Sequence, residues 1–439
     1  MDKFQLLQEI VADLSATTFP IGNITIEMIR QSKYTKAKLV PQIPGIIIGV
    51  RERGNRALIS FSKTTHQQAW EFRRGVSFVE LYNKIFDIVL DQFAERIGDV
   101  VSKADLSNIE REVRLWFLDV AKDHSLTIPC AIGRPNAPPF TIGPIAFATG
   151  NSFIQVGYGT IEKAREHWAA SRLIDAMIQE SAFWVAQVAI KRCELTRAHE
   201  KAELAVDLAI VGLQLIFHGD TAARMTRMTA RSIPRIKVSV SASSDKHQIT
   251  FANQEPGLGF GEGEFASGLA RGADILGAVG RRIDWFISGV GSHSTFERAW
   301  CDAAYWFHEA LAEPLDTIAI PKLETSIEVL FGAVNKKARD RICDAIRVFY
   351  GLADNDVIGP YSTKTVREFA NDLVTDRSRI LHGTWSTLSG DIVDSRADLT
   401  SLARELLAAY ALQLDAYKAA GQTSERILDF LIWIERRRQ

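Results

Sequence analysis

The strongest constraint on the fold is a series of apolar stripes at helical spacing in the last third of the chain. Apolar residues three and four positions apart share one face of an α-helix, so each stripe predicts an amphipathic helix that buries that face. Loops containing glycine or proline separate the stripes, and from about Pro314 onward the pattern predicts a bundle of four or five helices. The stripes comprise Ile342, Ala345, Ile346 and Phe349; Val366, Phe369 and Leu373; and Leu399, Leu402, Leu406, Tyr410 and Leu414.

Shorter apolar runs earlier in the chain predict β-strands. Runs at 46–48 and 57–61 flank the pair Gly54-Asn55, and two such runs around a turn predict a β-hairpin. Apolar residues alternate again over 236–253, on both sides of a Ser-Ser-Asp-Lys turn, and predict a second hairpin.

Proline and glycine are concentrated at 129–159, which favours strands and turns, with extended pieces at 145–147 and 154–156. Helical spacing over 76–121 and 161–217 predicts helices on either side of this stretch. The fold class is therefore predicted to be α+β, with short β-hairpins and helices in the N-terminal region and an all-α bundle after it.

This pattern divides the chain into three predicted regions. Residues 1–160 form an α+β region of unknown role, and residues 161–295 combine helices with a hairpin that could sense a ligand or contact RNA. Residues 296–439 form the helical bundle. The length of 439 residues is consistent with two or three such units.

Composition and charge exclude several classes of protein. With 46% hydrophobic and 24% charged residues, the chain is neither disordered nor collagen-like. The 52 Lys and Arg residues nearly balance 53 Asp and Glu residues, which excludes a uniformly basic nucleic-acid coat protein. A local basic site remains compatible with this balance.

The cysteines, histidines and apolar segments favour a cytoplasmic protein without a metal or a membrane partner. Four widely spaced cysteines and the absence of a C-x-x-C motif predict buried thiols in a reducing compartment. Residues 1–5 lack the order of a signal peptide. The apolar stretch 204–217 contains Asp207 and is shorter than the roughly 20 residues that span a bilayer. The nine histidines form no metal-ligand motif.

A basic segment lies at 221–244 and contains no acidic residue before Asp245. Arg224, Arg227 and Arg231 are three or four positions apart, which predicts that they share one helical face. Such a face can contact a nucleic-acid backbone, or it can be a solvated surface paired with acids elsewhere in the fold.

The glycine-rich stretch 257–263 is predicted to be a flexible connector. It matches neither the dinucleotide-binding nor the P-loop pattern, and Glu262 would repel a phosphate.

One arrangement suggests a reaction: the stretch Asp376-Arg-Ser-Arg-Ile-Leu-His-Gly383 at the end of the bundle's third helix. Imidazole exchanges protons near neutral pH, and guanidinium binds phosphate oxygens through parallel hydrogen bonds. His382 could deprotonate a ribose 2′-hydroxyl or protonate the leaving oxygen. Arg377 could stabilise the charge that develops on the phosphorane during RNA cleavage.

Chance and helix capping can each produce the same pair without any reaction. An arginine and a histidine at similar spacing also occur as Arg192 and His199, so the spacing alone is at the level of chance. We interpret that second pair as surface or packing residues within a helix. Basic residues also favour the C-terminus of a helix, and glycine commonly follows the last turn, so capping alone could produce the Arg377–Gly383 pattern.

The C-terminal segment resembles the HEPN superfamily, specifically its ApeA-like branch, over about residues 296–418. The ending Arg377-Ser-Arg-Ile-Leu-His-Gly383 is similar to that branch's arginine-serine…histidine-glycine motif. Two softer similarities support it: an aromatic-rich helix at 296–311 and a helix at 322–332 that carries a glutamate before paired apolar residues.

The resemblance implies a helical bundle that pairs across a two-fold axis and acts, without a metal or other cofactor, as an endoribonuclease. Such proteins serve as toxins or in defence against phage. The partners implied are RNA and a second copy of the chain, in a homodimer or a higher homo-oligomer. By analogy, residues 1–295 restrain the nuclease or sense a trigger, either a phage component or a nucleotide.

The family motif maps onto individual residues of this chain. Arg377 and His382 occupy its catalytic ends, and Arg379 is a candidate RNA contact. Ser378 fills an auxiliary position that often holds Asn, Asp or His in other branches. Glu328 matches the acid of the early helix, where its role is structural or catalytic. The alternative function is a non-catalytic HEPN-type module that dimerises and binds RNA or protein.

Overall fold

The computed structural model describes residues 1–18, 33–39, 46–133, 137–179, 182–228, 236–243, 246–253, 256, 263–332, 338–359, 363–384 and 393–438. The chain is α+β, as the sequence predicts, with small sheets in the N-terminal half and helices in the C-terminal region. Contacts divide it into two units, one of residues 1–124 and 190–200 and one of residues 125–189 and 201–439.

The first unit is a layer of helices beside a three-stranded antiparallel sheet of order β1-β3-β2. Its core contains large apolar side chains from several helices, such as Ile10, Phe61, Phe86 and Phe93. The elements are α1 (Lys3–Asp13), β1 (Ser15–Thr18), β2 (Lys36–Leu39), β3 (Ile46–Val50), α2 (Glu52–Gln68), α3 (Trp70–Gly75), α4 (Phe78–Phe93) and α5 (Lys103–Val120).

The predicted hairpin around Gly54-Asn55 is wrong, because this segment begins α2. The side chain of Asp13 supplies the N-terminal cap of that helix: its Oδ2 accepts from the backbone N–H of Arg51 at 2.7 Å and of Gly54 at 3.0 Å. These bonds satisfy N–H groups that a helix start leaves without partners. A Cβ at position 54 would lie 2.7 Å from Asp13, so glycine permits this close approach.

The next elements in the chain are a five-stranded sheet of order β5-β6-β7-β4-β8 and several helices, and most of their residues belong to the second unit. The prediction of strands and turns at 129–159 is confirmed for the described residues up to 149, which include the extended piece 145–147. It is wrong for 154–156, which lies in a helix that Thr149 caps through its side chain. The strand β7 was not predicted. The elements are β4 (Lys122–Ala131), β5 (Phe140–Ile142), β6 (Ile145–Thr149), α6 (Gly150–Tyr158), α7 (Ile161–Arg165), α8 (Trp168–Gln179), β7 (Trp184–Cys193), α9 (Leu195–Ile216), α10 (Asp220–Ala223) and β8 (Thr226–Arg227). Residues 122–124 of β4, 190–193 of β7 and 195–200 of α9 belong to the first unit.

The second predicted hairpin is confirmed. Strands β9 (Ile236–Ser243) and β10 (Lys246–Asn253) pair antiparallel, with Ser243 opposite Lys246 and Ile236 opposite Asn253. Of the glycine-rich stretch, 257–262 lies outside the described residues, and Gly263 has a left-handed backbone directly before the next helix.

The C-terminal helices pack into a bundle, which confirms the prediction for this region. The two neighbours α14 and α17 contact most of the other helices, and Leu323, Leu406 and Tyr410 are among their buried side chains. The bundle comprises α11 (Glu264–Arg271), α12 (Ala273–Ser288), α13 (Ser294–Leu311), α14 (Asp316–Leu330), α15 (Ala338–Tyr350), α16 (Val366–Leu381), α17 (Val393–Ala419) and α18 (Ile427–Arg438). Within the described part of the chain, no helix is both long and apolar enough to cross a membrane.

Candidate active site

The helix that carries the Arg377…His382 pair is capped at both ends. At its start, the side chain of Thr365 accepts from the backbone N–H of Glu368, whose carboxylate accepts from the N–H of Thr365. This reciprocal capping box fixes where α16 begins. The sequence Thr-Val-Arg-Glu therefore sets the register of the helix and places Arg377 three turns further along it.

The end of α16 is a Schellman motif. The N–H of Gly383 donates to the carbonyl of Ile380 at 3.1 Å, and the N–H of Thr384 donates to that of Arg379 at 2.9 Å. Gly383 has φ +68°, the left-handed conformation that glycine adopts at this position. Helix capping alone therefore accounts for the glycine that follows His382.

Arg377 is anchored to the neighbouring helix α14. Its Nη1 donates to Oε2 of Glu328 in an ion pair between side chains that are 31% and 11% exposed. The Nε atom of Arg377 is buried and has no hydrogen-bond partner among the described residues. The guanidinium is thus held on one side while part of its donor capacity stays unused.

A second buried carboxyl group lies one helical turn before Glu328. Glu324 is fully buried, and neither of its oxygens has a hydrogen-bond partner within the described structure. Burial, reinforced by the charges of Glu328 and Asp376 and opposed by Arg377, raises the pKa of Glu324 to about 9. Glu324 therefore carries a proton at neutral pH, as expected for a buried acid without a dedicated cation.

The other two acids of this cluster have higher pKa values than usual as well. Burial raises the pKa of Glu328, and Arg377 opposes the shift through its charge and its hydrogen bond. Burial and the charge of Asp372 raise the pKa of Asp376, against Arg379 and Lys364. Glu324 and Glu328 thus share the one half-buried guanidinium of Arg377, an arrangement of perturbed groups that is common at functional sites and also occurs in structural networks.

The structure places the remaining motif residues on the surface. His382, Ser378 and Arg379 are all exposed at the end of α16. Five positions along an α-helix correspond to about 140° of rotation and about 7.5 Å of rise. Arg377 and His382 of one chain therefore lie on different faces of the helix, and between these two described residues there is no hydrogen bond.

The predicted basic helical face at 224–231 is wrong for its first two members. The helix α10 ends at Ala223, and Arg227 lies in β8, opposite Cys130 of β4. Arg224 is half-buried, and Arg231 lies outside the described residues. The arginines at 224 and 227 do not share a helical face, because the strand pairing of β8 interrupts the helical spacing.

Arg227 also has acidic partners within the fold. Its Nε donates to both carboxylate oxygens of Asp207 at 3.1 Å, and its Nη1 lies 2.9 Å from Oε2 of Glu203. The side chain of Arg227 is 15% exposed. The sequence left two interpretations open for this segment, contact with a nucleic-acid backbone or pairing with acids elsewhere in the fold. Arg227 is paired with acids.

A buried polar network that the sequence did not predict surrounds Asp207. His308 Nδ1 lies 2.8 Å from Oε1 of Gln214, and its Nε2 lies 3.7 Å from Oδ1 of Asp207. Burial opposes ionisation of Asp207, but the hydrogen bond and charge of His308, with Arg227, lower its pKa. The sequence did contain a signal for this network, because Asp207 lies inside the apolar stretch 204–217 and a buried charge needs a partner. Because these side chains are almost fully buried, the network holds helices together and is closed to a macromolecular substrate.

The described residues contain no group of three or more His, Cys, Asp and Glu side chains that could hold a metal ion. Comparison of the chain with protein-family models, curated proteins and solved structures finds no match.

Proposed function

We propose that the C-terminal bundle is a metal-independent endoribonuclease of the HEPN type, a toxin or anti-phage effector that its N-terminal region controls. The observation that carries the proposal is that α16 anchors Arg377 against Glu328 and ends five residues later at an exposed imidazole. One fixed cation and one accessible proton carrier are what phosphodiester cleavage by a ribose hydroxyl requires.

The role of Arg377 follows from its contacts. Glu328 occupies one terminal nitrogen of the guanidinium, and this bond restricts the side chain before a substrate arrives. The donors that remain can bind non-bridging phosphate oxygens, for which the planar guanidinium is well suited. Arg377 then stabilises the extra negative charge of the pentacoordinate phosphorus, while Glu328 acts as a positioning residue.

His382 moves the proton in the proposed reaction. The 2′-oxygen attacks phosphorus as its proton passes to the imidazole. The bond from phosphorus to the 5′-oxygen breaks, and the imidazolium returns that proton to the leaving oxygen. The products are a 2′,3′-cyclic phosphate and a 5′-hydroxyl. Water and metal ions are not reactants in this step, and a neutral imidazole is the base that it needs.

The complete site needs two copies of the chain. Because Arg377 and His382 lie about 140° apart on one helix, a single copy presents them on different faces. Two α16 helices related by a two-fold axis can place the arginine of one copy beside the histidine of the other. The predicted homodimer is therefore part of the proposed mechanism.

The experiment is cleavage of total RNA by the purified full chain in EDTA, with end-group analysis of the products. We expect fragments with cyclic phosphate ends, and we expect His382→Ala to abolish them. Because an untriggered nuclease is silent, growth arrest on overexpression is measured for the same variants. Cleavage that requires a divalent metal, or that persists in His382→Ala, contradicts the mechanism.

Two further variants make this test specific. His199→Ala removes an exposed histidine from the other Arg/His pair and should leave cleavage and growth arrest unchanged. Arg377→Lys keeps the charge that pairs with Glu328 but loses the guanidinium's planar fork, so cleavage should fall while the melting temperature changes little. A loss of cleavage in His199→Ala would show that the assay responds to more than the proposed site.

The alternative is a non-catalytic HEPN-type module that dimerises and binds RNA or protein. The Schellman motif favours it, since capping accounts for Gly383 without any reaction. In that case growth arrest or phage protection persists in His382→Ala. RNA binding would then be recognised by an affinity that falls steeply with salt and weakens in Arg379→Gln or Arg224→Gln.

A further inference from the structure

A cavity of about 320 Å³ lies within the first unit. Helices α1, α2, α3 and α5 and the end of β7 line it, and all of its lining residues belong to that unit. Its volume is at the lower end of the range of about 300–1,000 Å³ that is usual for small-molecule sites. The cavity shares no residue with the proposed nuclease site, so its role is a separate question.

One wall of the cavity is aromatic. Phe61, Phe72 and Phe117 line it, and the last two rings meet edge to face at 4.9 Å between centroids. Phe61 is 1% exposed and belongs to the core of the unit. Such a wall favours a flat apolar ring over an aliphatic chain, because aromatic pairs gain energy beyond the area that they bury.

A hydroxyl group on the cavity wall has no partner. Thr65 is 6% exposed, and its Oγ1 is buried without a hydrogen bond to any residue that the structure describes. Buried polar atoms in folded proteins are nearly always hydrogen-bonded. An occupant with a polar atom near Thr65 would satisfy this hydroxyl.

The charges around the cavity favour a monoanion. Lys3 and Glu110 neutralise each other through an ion pair of 2.8 Å. Arg114, Arg192 and Glu71 also line the cavity, and none of the three forms an ion pair with a described residue. Two guanidinium groups against one carboxylate leave a net charge of +1, which suits one carboxylate group better than a doubly charged phosphate.

Arg192 is held in an unusual backbone conformation. It lies in β7, which corrects its placement within a helix from the sequence, and its φ of +52° is in the left-handed region that residues other than glycine rarely adopt. One hydrogen bond supports this conformation: the N–H of Arg192 donates to Oδ1 of Asp123 at 2.9 Å. Strained residues that neighbours hold in place concentrate at binding sites.

We propose that this cavity binds a small aromatic carboxylate. The ring lies against Phe72 and Phe117, the carboxylate interacts with Arg114 and Arg192, and a polar atom of the ligand bonds to the Thr65 hydroxyl. The first unit is thereby assigned a ligand-binding role that does not depend on the nuclease proposal.

The test is isothermal titration of the purified full chain with indole-3-acetate and with its neutral isostere, indole-3-acetamide. We expect saturable binding of the acid and binding of the amide that is at least about tenfold weaker, as loss of a charge-assisted bidentate contact implies. Arg114→Gln and Arg192→Gln should each weaken binding of the acid several-fold. Glu71→Gln should strengthen it, because it removes the opposing charge.

The remaining variants separate a built site from nonspecific association. Thr65→Val keeps the shape of the side chain but removes the hydroxyl, and it should weaken binding of the acid several-fold. Arg111→Gln removes an exposed arginine of α5, the helix that carries Arg114, and Arg111 does not line the cavity. This variant should leave the affinity for the acid unchanged. The proposal is overturned by absence of saturable binding up to millimolar acid, by equal affinity for the amide, or by equal losses in Arg111→Gln and Arg114→Gln.

Discussion

The buried acid Glu324 allows a quantitative prediction about stability. Its pKa is about 9 in the folded protein, whereas that of an exposed glutamate is about 4.3. Between these values the folded state binds a proton that the unfolded state has released. The free energy of unfolding therefore decreases as pH rises through this window, by up to about 1.4 kcal/mol per pH unit.

Glu324→Gln removes this dependence because an amide does not titrate. At pH 7.5 the shift corresponds to about 4 kcal/mol of lost stability in the parent protein. Part of the gain from removing it is offset in the variant, because a buried amide without partners costs about 1–3 kcal/mol. We expect the variant to be more stable by about 1–3 kcal/mol at pH 7.5 and to show little or no gain at pH 5.

The assay is urea unfolding at pH 5.0, 7.5 and 8.5, with hydrogen exchange of peptides from α14 reporting on the second unit. Glu166→Gln changes an exposed glutamate of the same unit and is the matched control, with no expected change in the pH profile. If Glu324→Gln has the same pH profile as the parent, or is less stable at pH 8.5, Glu324 is not protonated in the folded protein and the reasoning is refuted.

Three further predictions concern other parts of the fold. Gly383→Ala should lower stability by about 1 kcal/mol, because the left-handed backbone opposes the new Cβ and no atom of the described residues lies within 4 Å of it; a thermal melt without a shift would contradict this. Arg282→Met should lower the free energy of unfolding by about 3–5 kcal/mol in urea, because it leaves Glu297 and Asp415 without their buried partner. The control Arg281→Met removes an exposed partner of Asp415 and should lower it by less than about 1 kcal/mol. Burial and the neighbouring Glu194 raise the pKa of Glu80 to about 7. The stability contributed by its proton is therefore lost as pH rises from about 4.3 to 7. Glu80→Gln should make the unfolding free energy of the first unit less dependent on pH in that window.

Several elements that have a clear local pattern were predicted correctly. The stripes of α16 and α17 and the alternation of β9 and β10 follow from local spacing, and the structure has them where the sequence places them. Strand β7 also carries a local signal, since Ala186, Val188 and Ile190 are buried while Gln187 and Ala189 are exposed. The prediction missed this alternation because it assigned the whole range 161–217 to helices.

Features that depend on distant residues were not predicted. The helix α2 stands in place of the predicted hairpin, and its N-terminal cap comes from Asp13, about 40 positions earlier. In the candidate site, the motif was visible in sequence, but 49 positions separate Arg377 from Glu328 and nothing local links them. The high pKa of Glu324 depends on its burial between packed helices. The spacing of apolar residues indicates that a helix has a buried face, but it does not show how deeply this one carboxyl group is buried.

The discontinuous first unit has a consequence for how the protein is made. Residues 190–200 complete this unit, where Glu194 donates its N–H to the carbonyl of Gly75 at 2.7 Å and the His124 ring lies 2.8 Å from the carbonyl of Cys193. During synthesis, the first 124 residues therefore leave the ribosome without their closing segment, and the unit is completed only after residue 200 has emerged. Since domains fold as units during translation, the intervening 65 residues are made while the first unit is still incomplete. A fragment that ends at residue 124 would lack these contacts, whereas one that extends to residue 200 would include them.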